Sequence, residues 1–401
     1  MNEEFIEKCE KQLSEQFKII DEISFYNTEK VLNAFKKNRI ALRHFCGTTG
    51  YGYGDEGRDT LNSLVADIFK TEDAIVSPNI VSGTHALSLC LFGILRPNDK
   101  VLCITGEPYD TLKDVINGSG NGALSEYGVE FHTIPLIDGK IDFDSVKKEI
   151  RALNPKMVYM QRSRGYDWRN AFSVDDIEKA VKFVRECGFD GCIMLDNCYG
   201  EFIEKREATE VGVNVLAGSL IKNLCGGIAP TGGYVAGEKK YVELIGNRMT
   251  APSIGREVGS YAFGYREFYQ GLFVAPHTVA QAIKGSMLVG AVMSESGYET
   301  SPKPYELPKD IIRAIKFNDK DKLISFIQNV QYNSPVDSFV EAIPWAMPGY
   351  EDEVIMSAGC FVQGSSIELS ADAPVRPPYI AYMQGGLTYE HCKIALKNLK
   401  F

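Results

Sequence analysis

Apolar positions recur along this chain with two different periods. From 59 to 70, Leu61, Leu64, Val65, Ile68 and Phe69 follow the i, i+3, i+4, i+7, i+8 spacing of an amphipathic helix. After it, short apolar runs read as strands at 74–77, 101–105, 129–135, 157–161, 192–196, 213–219 and 233–236. Helical patterns at 84–95, 143–152 and 173–187 lie between them. Strand-helix alternation of this kind predicts parallel βαβ units and an α/β sheet covered on both faces. Residues 4–37 read as helical with one polar face, and the pattern turns helical again over 252–298. Beyond 300 it is mixed: a helix at 311–327, strands at 354–361, 366–370 and 379–383, and a closing helix from 388. The proline-containing stretch 301–308 marks the expected boundary. The chain therefore divides into a helical segment (1–50), a large α/β domain (51–300) and a small α+β domain (301–401). No internal repeat or low-complexity segment interrupts it.

Length and composition narrow the class. A chain of 401 residues is long enough for two or more domains, and 44% hydrophobic with 24% charged residues is ordinary for a globular protein. A net charge of -10 argues against a nucleic-acid or anionic-membrane surface. No apolar run reaches the roughly 18 to 20 residues of a membrane span. The acidic start, Met1-Asn2-Glu3-Glu4, lacks the layout of a signal peptide. Ten cysteines stand singly, with no Cys-x-x-Cys pair, which reads as reduced thiols in a cytoplasmic protein. The five histidines are far apart, so no metal site is expected.

Candidate chemistry gathers at strand ends, where α/β sheets build their sites. Lys222 is the least expected residue. An apolar run from Val213 to Ile221 leads into it, and Gly226-Gly227 follow. At the end of a buried strand a lysine loses hydration, and its amine becomes easier to deprotonate and able to form a Schiff base. A lysine snorkelling from a buried strand gives the same pattern. Ser82-Gly83-Thr84-His85 opens an apolar helix and offers backbone N–H groups to an anion, or is an ordinary Ser/Thr cap. Tyr109 follows the strand at 101–105 and suits ring stacking or half-burial. Asp196 closes a buried strand, so its carboxylate needs a partner: a protonated heterocycle, a helix cap or an arginine. Ser219 precedes Lys222 by one short turn and could reach a phosphate. An anion cradle, a ring stacker, a carboxylate and a desolvated lysine together are the set that pyridoxal phosphate needs.

With these residues in this order, the sequence resembles the fold type I pyridoxal-phosphate enzymes, within them the Cys/Met-metabolism lyases. The nearest branch is the aluminium-resistance, methionine gamma-lyase-like group of proposed cystathionine beta-lyases. The likeness spans nearly the whole chain. It is carried by Gly52-Tyr53-Gly54-Asp55-Glu56-Gly57-Arg58-Asp59, Val81-Ser82-Gly83-Thr84-His85-Ala86, Gln161-Arg162-Ser163-Arg164-Gly165-Tyr166, Ser219-Leu220-Ile221-Lys222-Asn223 and Ile380 to Glu390. The resemblance implies a carbon–sulfur lyase acting on a sulfur-containing amino acid by β- or γ-elimination. It makes Lys222 the Schiff-base lysine and Asp196 the partner of the pyridine nitrogen. Tyr109 becomes the ring stacker and a proton relay, with Gly83, Thr84 and Ser219 on the phosphate. Tyr53 and Arg58 resemble the pair that reaches the phosphate from a neighbouring subunit, which implies a homodimer or homotetramer. Arg376, in Ala373-Pro374-Val375-Arg376-Pro377-Pro378, resembles the residue that grips the substrate carboxylate; a surface arginine in a Pro-rich loop is the plainer reading. Ile221 stands where the wider group has Thr, so one phosphate hydroxyl must come from elsewhere.

Two rival readings are weighed against this one. Gly52, Gly54 and Gly57 also satisfy G-x-G-x-x-G, the fingerprint of a nicotinamide-dinucleotide oxidoreductase, yet no clean apolar strand precedes them. An aminotransferase shares the lysine and aspartate. The stretch from Asn223 to Tyr234 lacks the arginine common downstream of that lysine in aminotransferases, which favours the lyase.

Overall fold

The computed structural model describes residues 1–347 and 350–399; positions 348–349 and 400–401 of the expected small domain lie outside the described residues. The chain opens with α1 (Glu3–Lys11) and α2 (Ser14–Lys37), so the helical stretch expected over 4–37 breaks once, at Gln12–Leu13. Helix α3 (Glu56–Ile68) starts at Asp55, whose carboxylate accepts the Arg58 N–H, and its apolar stripe of Leu61, Leu64, Val65 and Ile68 is buried. Strand β1 (Asp73–Ser77) leads to α4 (Gly83–Ile94), and β2 (Lys100–Cys103) to α5 (Asp110–Asn117). Then come β3 (Glu130–Thr133), α6 (Phe143–Leu153), β4 (Met157–Gln161), α7 (Val174–Glu186) and β5 (Cys192–Asp196). Strands β6 (Val215–Ser219) and β7 (Gly233–Gly237) precede α8 (Lys239–Met249) and α9 (Arg266–Glu295).

These strands form a seven-stranded sheet in the order β1-β7-β6-β5-β4-β2-β3. Strands β3, β2, β4, β5 and β6 run parallel, while β7 lies antiparallel between β6 and β1. Every residue of β4, β5, β6 and β7 is buried. This is why these strands read as unbroken apolar runs, since helices cover both faces of the sheet. The carboxyl ends of β2, β4, β5 and β6 point the same way and deliver their following residues to one place.

A second sheet begins with β8 (Glu299–Ser301) and β9 (Ile312–Lys316). Helix α10 (Lys320–Tyr332) follows, then β10 (Val354–Ser357), β11 (Ser370–Pro374), β12 (Ile380–Gln384) and α11 (Tyr389–Lys397). The strands pair antiparallel in the order β10-β11-β12-β9-β8. The long helix α9 packs on α1, α2 and α11, on β8 and β9 of the small sheet, and on the short turn Asn223–Cys225 that follows β6 of the large one, tying the two sheets together.

Three expected elements differ. The helix expected over 311–327 is strand β9 followed by α10. Ile312 to Ile315 are buried without alternation, which periodicity cannot tell from a helix, and Asp319 caps α10 by accepting the Lys322 N–H. The strand expected at 366–370 lies instead at Ser370–Pro374, where alanines hide the β signal. The helical pattern expected from 252 begins at Arg266, preceded by turns. Among the described residues, no helix is long and apolar enough to cross a membrane.

Candidate active site

The first wall of the site is the start of α4. Ser82 caps the helix, its hydroxyl accepting the His85 N–H at 3.0 Å. A Cβ placed on Gly83 would stand 3.4 Å from both Cys198 Sγ and Ser219 Cβ. Glycine therefore leaves a cradle open between the helix N-terminus and the end of β6, where N–H groups and the helix dipole favour an anion. Thr84 Oγ1 lies 2.8 Å from Thr111 Oγ1, which brings a second hydroxyl to this wall.

The floor comes from β5 and β6, paired in register with Asp196 opposite Ala217. Asp196 ends its strand buried, and its Oδ1 accepts the Cys198 N–H at 3.0 Å. Burial pushes its carboxyl above the ordinary range, while the Cys198 hydrogen bonds and Lys222 pull the other way. Lys222 lies three residues past Ser219, its Nζ 4.1 Å from the centre of the Tyr199 ring. Its amine departs from the sequence-based expectation. Burial does lower it, but Cys198, Tyr199 and Asp196 raise it more, and the balance lies above the ordinary lysine value. Burial pushes the neighbouring Cys198 thiol and Tyr199 phenol up as well. The chain thus keeps Lys222 as an ammonium until something displaces its partners.

Gly83, Thr84, Tyr109, Asp196, Ser219 and Lys222 line one cavity of about 240 Å³. The Tyr109 N–H donates to Gln161 Oε1 at 2.7 Å, which fixes the tyrosine at the end of β2 against β4. Its hydroxyl lies 2.8 Å from that of Tyr350. Burial raises the Tyr109 phenol well above its ordinary value, so it stays protonated.

The opposite wall was not singled out by sequence reasoning, and it comes from the small sheet. Ile312, Asp372, Tyr382 and Gln384 face the cavity from β9, β11 and β12. The Tyr166 hydroxyl donates to Asp372 Oδ2 at 2.9 Å, and the Tyr382 hydroxyl donates to the Tyr166 carbonyl at 2.7 Å. Burial pushes the Asp372 carboxyl up to about 6, against the pull of the Tyr166 hydrogen bond and Lys222. Tyr166 and Tyr382 did stand in the motifs quoted above, which was the available signal. Asp372 had none.

Three expected site residues lie elsewhere in the single chain. Tyr53 is 67% exposed, its ring 5.6 Å from that of Tyr51. Arg58 is buried, with Nη1 donating to the Gly52 carbonyl at 3.0 Å and Nε to Asp59 at 2.8 Å. Arg376 is exposed and paired with Asp352 at 2.8 Å. It lines an adjoining groove with Arg164 and Arg169, which meets the Lys222 cavity at Tyr109, Gln161, Gly165 and Tyr166. The G-x-G-x-x-G pattern has a packing explanation. A Cβ on Gly57 would stand 2.5 Å from the Tyr265 ring and 2.6 Å from the His44 carbonyl oxygen, and a 3-10 turn, Leu42–Phe45, precedes the glycines in place of a strand. The dinucleotide reading falls on that point. Among the described residues, no group of His, Cys, Asp and Glu is arranged to hold a metal.

Comparison with known proteins agrees with this architecture. The family model for methionine gamma-lyase matches residues 2–400. A proposed cystathionine beta-lyase involved in aluminum resistance from Listeria monocytogenes is 47% identical, with 99% of each chain covered and a TM-score of 0.97. A carbon-sulfur lyase involved in aluminum resistance from Clostridium novyi is 48% identical, covering 99% of this chain and 94% of that one, with a TM-score of 0.95. A pyridoxal-5'-phosphate dependent protein of Escherichia coli shares the fold at 16% identity, covering 94% of this chain and 95% of that one, with a TM-score of 0.63. Since the match runs through both sheets and the cavity between them, the chain is an enzyme of the methionine gamma-lyase family, built on the fold type I plan of the pyridoxal-phosphate enzymes.

Proposed function

We propose that this enzyme is a pyridoxal-phosphate-dependent carbon–sulfur lyase that releases a thiol from a sulfur-containing amino acid by β- or γ-elimination. One observation carries the reading: Lys222, Asp196 and the cradle left by Gly83 open into a single cavity. The residues fit the cofactor. A Cβ at Gly83 would fill the space where a phosphate would sit, and Ser219 and Thr84 bring hydroxyls to it. Asp196 is a buried carboxylate whose facing cation, Lys222, would be consumed by carbonyl capture, leaving it to a ring N–H.

When bound, pyridoxal phosphate supplies an electron sink for the substrate Cα–H bond. The chain does the remaining work. Lys222 would hold the cofactor through its carbonyl and, as a free neutral amine, would take the substrate Cα proton as general base. Asp196 would keep a proton on the ring nitrogen. Tyr109, kept neutral by burial, donates a proton toward the departing sulfur. Arg376, exposed in the lining of the adjoining groove, receives the substrate carboxylate after leaving Asp352. Water completes the balance: thioether plus water gives thiol, ammonia and a 2-oxo acid.

The enzyme acts as a homodimer or homotetramer. Tyr53, exposed on its loop, belongs to the surface offered to a neighbouring subunit's phosphate, and the buried Arg58 holds the Gly52 carbonyl of that loop. The ten free thiols accord with a reducing, cytoplasmic location. The deciding assay follows thiol, ammonia and oxo acid together from cystathionine, cysteine and methionine. Equimolar release of all three supports the lyase. Oxo acid without ammonia would replace it with an aminotransferase.

A further inference from the structure

The small-sheet wall of the cavity has the wrong sign for a carboxylate. Asp372 is buried there, and Tyr166, Tyr350 and Tyr109 gather beside it. The Tyr166 ring lies 6.1 Å from Tyr109, 5.9 Å from Tyr350 and 5.2 Å from Tyr382. A carboxylate among tyrosine faces and hydroxyls is the chemistry that receives an ammonium, through charge, accepted hydrogen bonds and cation–π attraction. The cation acting on Asp372 is Lys222. The groups that would hold the cofactor, Gly83, Thr84, Asp196 and Ser219, all come from the large sheet and its following turns. Asp372 therefore faces the part of the cavity left to the substrate. The arginines lie on the other side of Tyr109 and Tyr166, in the groove of Arg164, Arg169 and Arg376.

We propose that Asp372, with the Tyr166 hydroxyl, binds an ammonium carried on the side chain of the substrate, so that the enzyme selects amino acids whose sulfur substituent bears a second amine. This rests on the lyase reading above. Whether Lys222 engages the cofactor carbonyl or, released by the incoming amine, serves as a neutral base, it is no longer an ammonium, and Asp372 loses its compensating charge. A substrate ammonium restores it. A neutral side chain leaves a buried anion unpaired, and an anionic one adds repulsion. The α-carboxylate is directed to the arginine groove, which fixes the substrate's orientation.

The test is calorimetric binding of three amino acids with no leaving group at Cβ or Cγ to the cofactor-loaded protein at pH 8: L-lysine, L-norleucine and L-2-aminoadipate. They share the α-amino and α-carboxyl groups and differ in the charge at the far end. Lysine is expected to bind roughly tenfold or more tighter than norleucine, the effect of about 1.4 kcal/mol, with 2-aminoadipate weakest. In Asp372→Asn the lysine advantage should shrink below about threefold, since the amide carries no charge. Equal affinities, or an anion bound most tightly, would overturn the proposal, as would an unchanged ratio in the variant. If the variant does not fold, the wild-type series alone decides. The absorbance of the cofactor bound at Lys222 is read first. A chain that takes up no cofactor refutes the lyase reading, whereas a loaded chain without the charge order refutes only the assignment of Asp372.

Discussion

Replacing Glu201 by glutamine should stabilise the protein, and only above a defined pH. Glu201 is fully buried behind the Lys222 turn. Its Oε1 accepts the Tyr234 hydroxyl at 2.5 Å, while Oε2 has no hydrogen-bond partner among the described residues. Burial pushes this carboxyl up to about 7 from an ordinary 4.5, against the pull of Tyr234, Lys222 and Arg162. A carboxyl raised by folding contributes stability that is complete below the unfolded value and disappears as pH rises through the folded value. The window is therefore pH 4.5 to about 7. At about 1.4 kcal/mol per pH unit, the folded state gives up about 3 kcal/mol across it. Glutamine is neutral throughout and still accepts from Tyr234. Urea denaturation of the cofactor-free protein at pH 5, 6, 7 and 8.5 measures the difference. Glu201→Gln should match the wild type near pH 5 and exceed it by about 3 kcal/mol at pH 8.5. Groups common to both proteins cancel from the comparison. A difference that stays constant with pH, or a variant weaker at pH 8.5, would refute the reasoning.

Three further outcomes follow from the same geometry. Gly83→Ala should fold normally, because its Cβ contacts are 3.4 Å, yet bind pyridoxal phosphate at least roughly tenfold more weakly in an absorbance titration; unchanged affinity would remove the phosphate from that cradle. Tyr109→Phe keeps the ring and loses the hydroxyl, so cofactor uptake should persist while thiol release slows by about 10² or more; equal turnover would exclude Tyr109 as the proton donor. Asp310 lies 3.7 Å from Arg164 Nε, and burial with the neighbouring Arg164 pushes Arg313 down to about 9. Asp310→Asn should cost about 3–5 kcal/mol in a denaturation curve, and a cost below about 1 kcal/mol would show that backbone carbonyls and the Ser301 hydroxyl suffice to hold those guanidiniums.

The legible parts of the fold were those with a single physical cause. Strands β4 and β5 are buried on both faces, so their apolar runs end where Gln161 and Asp196 meet the cavity. Lys222 was conspicuous because nothing solvated surrounds it in sequence. Helix α10 is obscured in the sequence because Ile312 to Ile315 carry no alternation and Asp319, its cap, falls inside the stretch that reads as continuous helix. Asp372 was invisible for a different reason. It stands between alanines in a weak strand, and its partner Tyr166 lies 206 residues earlier. No local pattern encodes such a pairing. The protonation of Lys222 was likewise set by Asp196 and the surrounding acids, which sequence could name but not place.

The central claim is that Lys222 captures the cofactor. Borohydride reduction of the cofactor-loaded protein, followed by peptide mapping, tests it most directly. The pyridoxyl group should be found on the peptide containing Ser219 to Asn223, at Lys222, and Lys222→Ala should retain none. A label on any other lysine, or a protein that takes up no cofactor at all, would contradict the account.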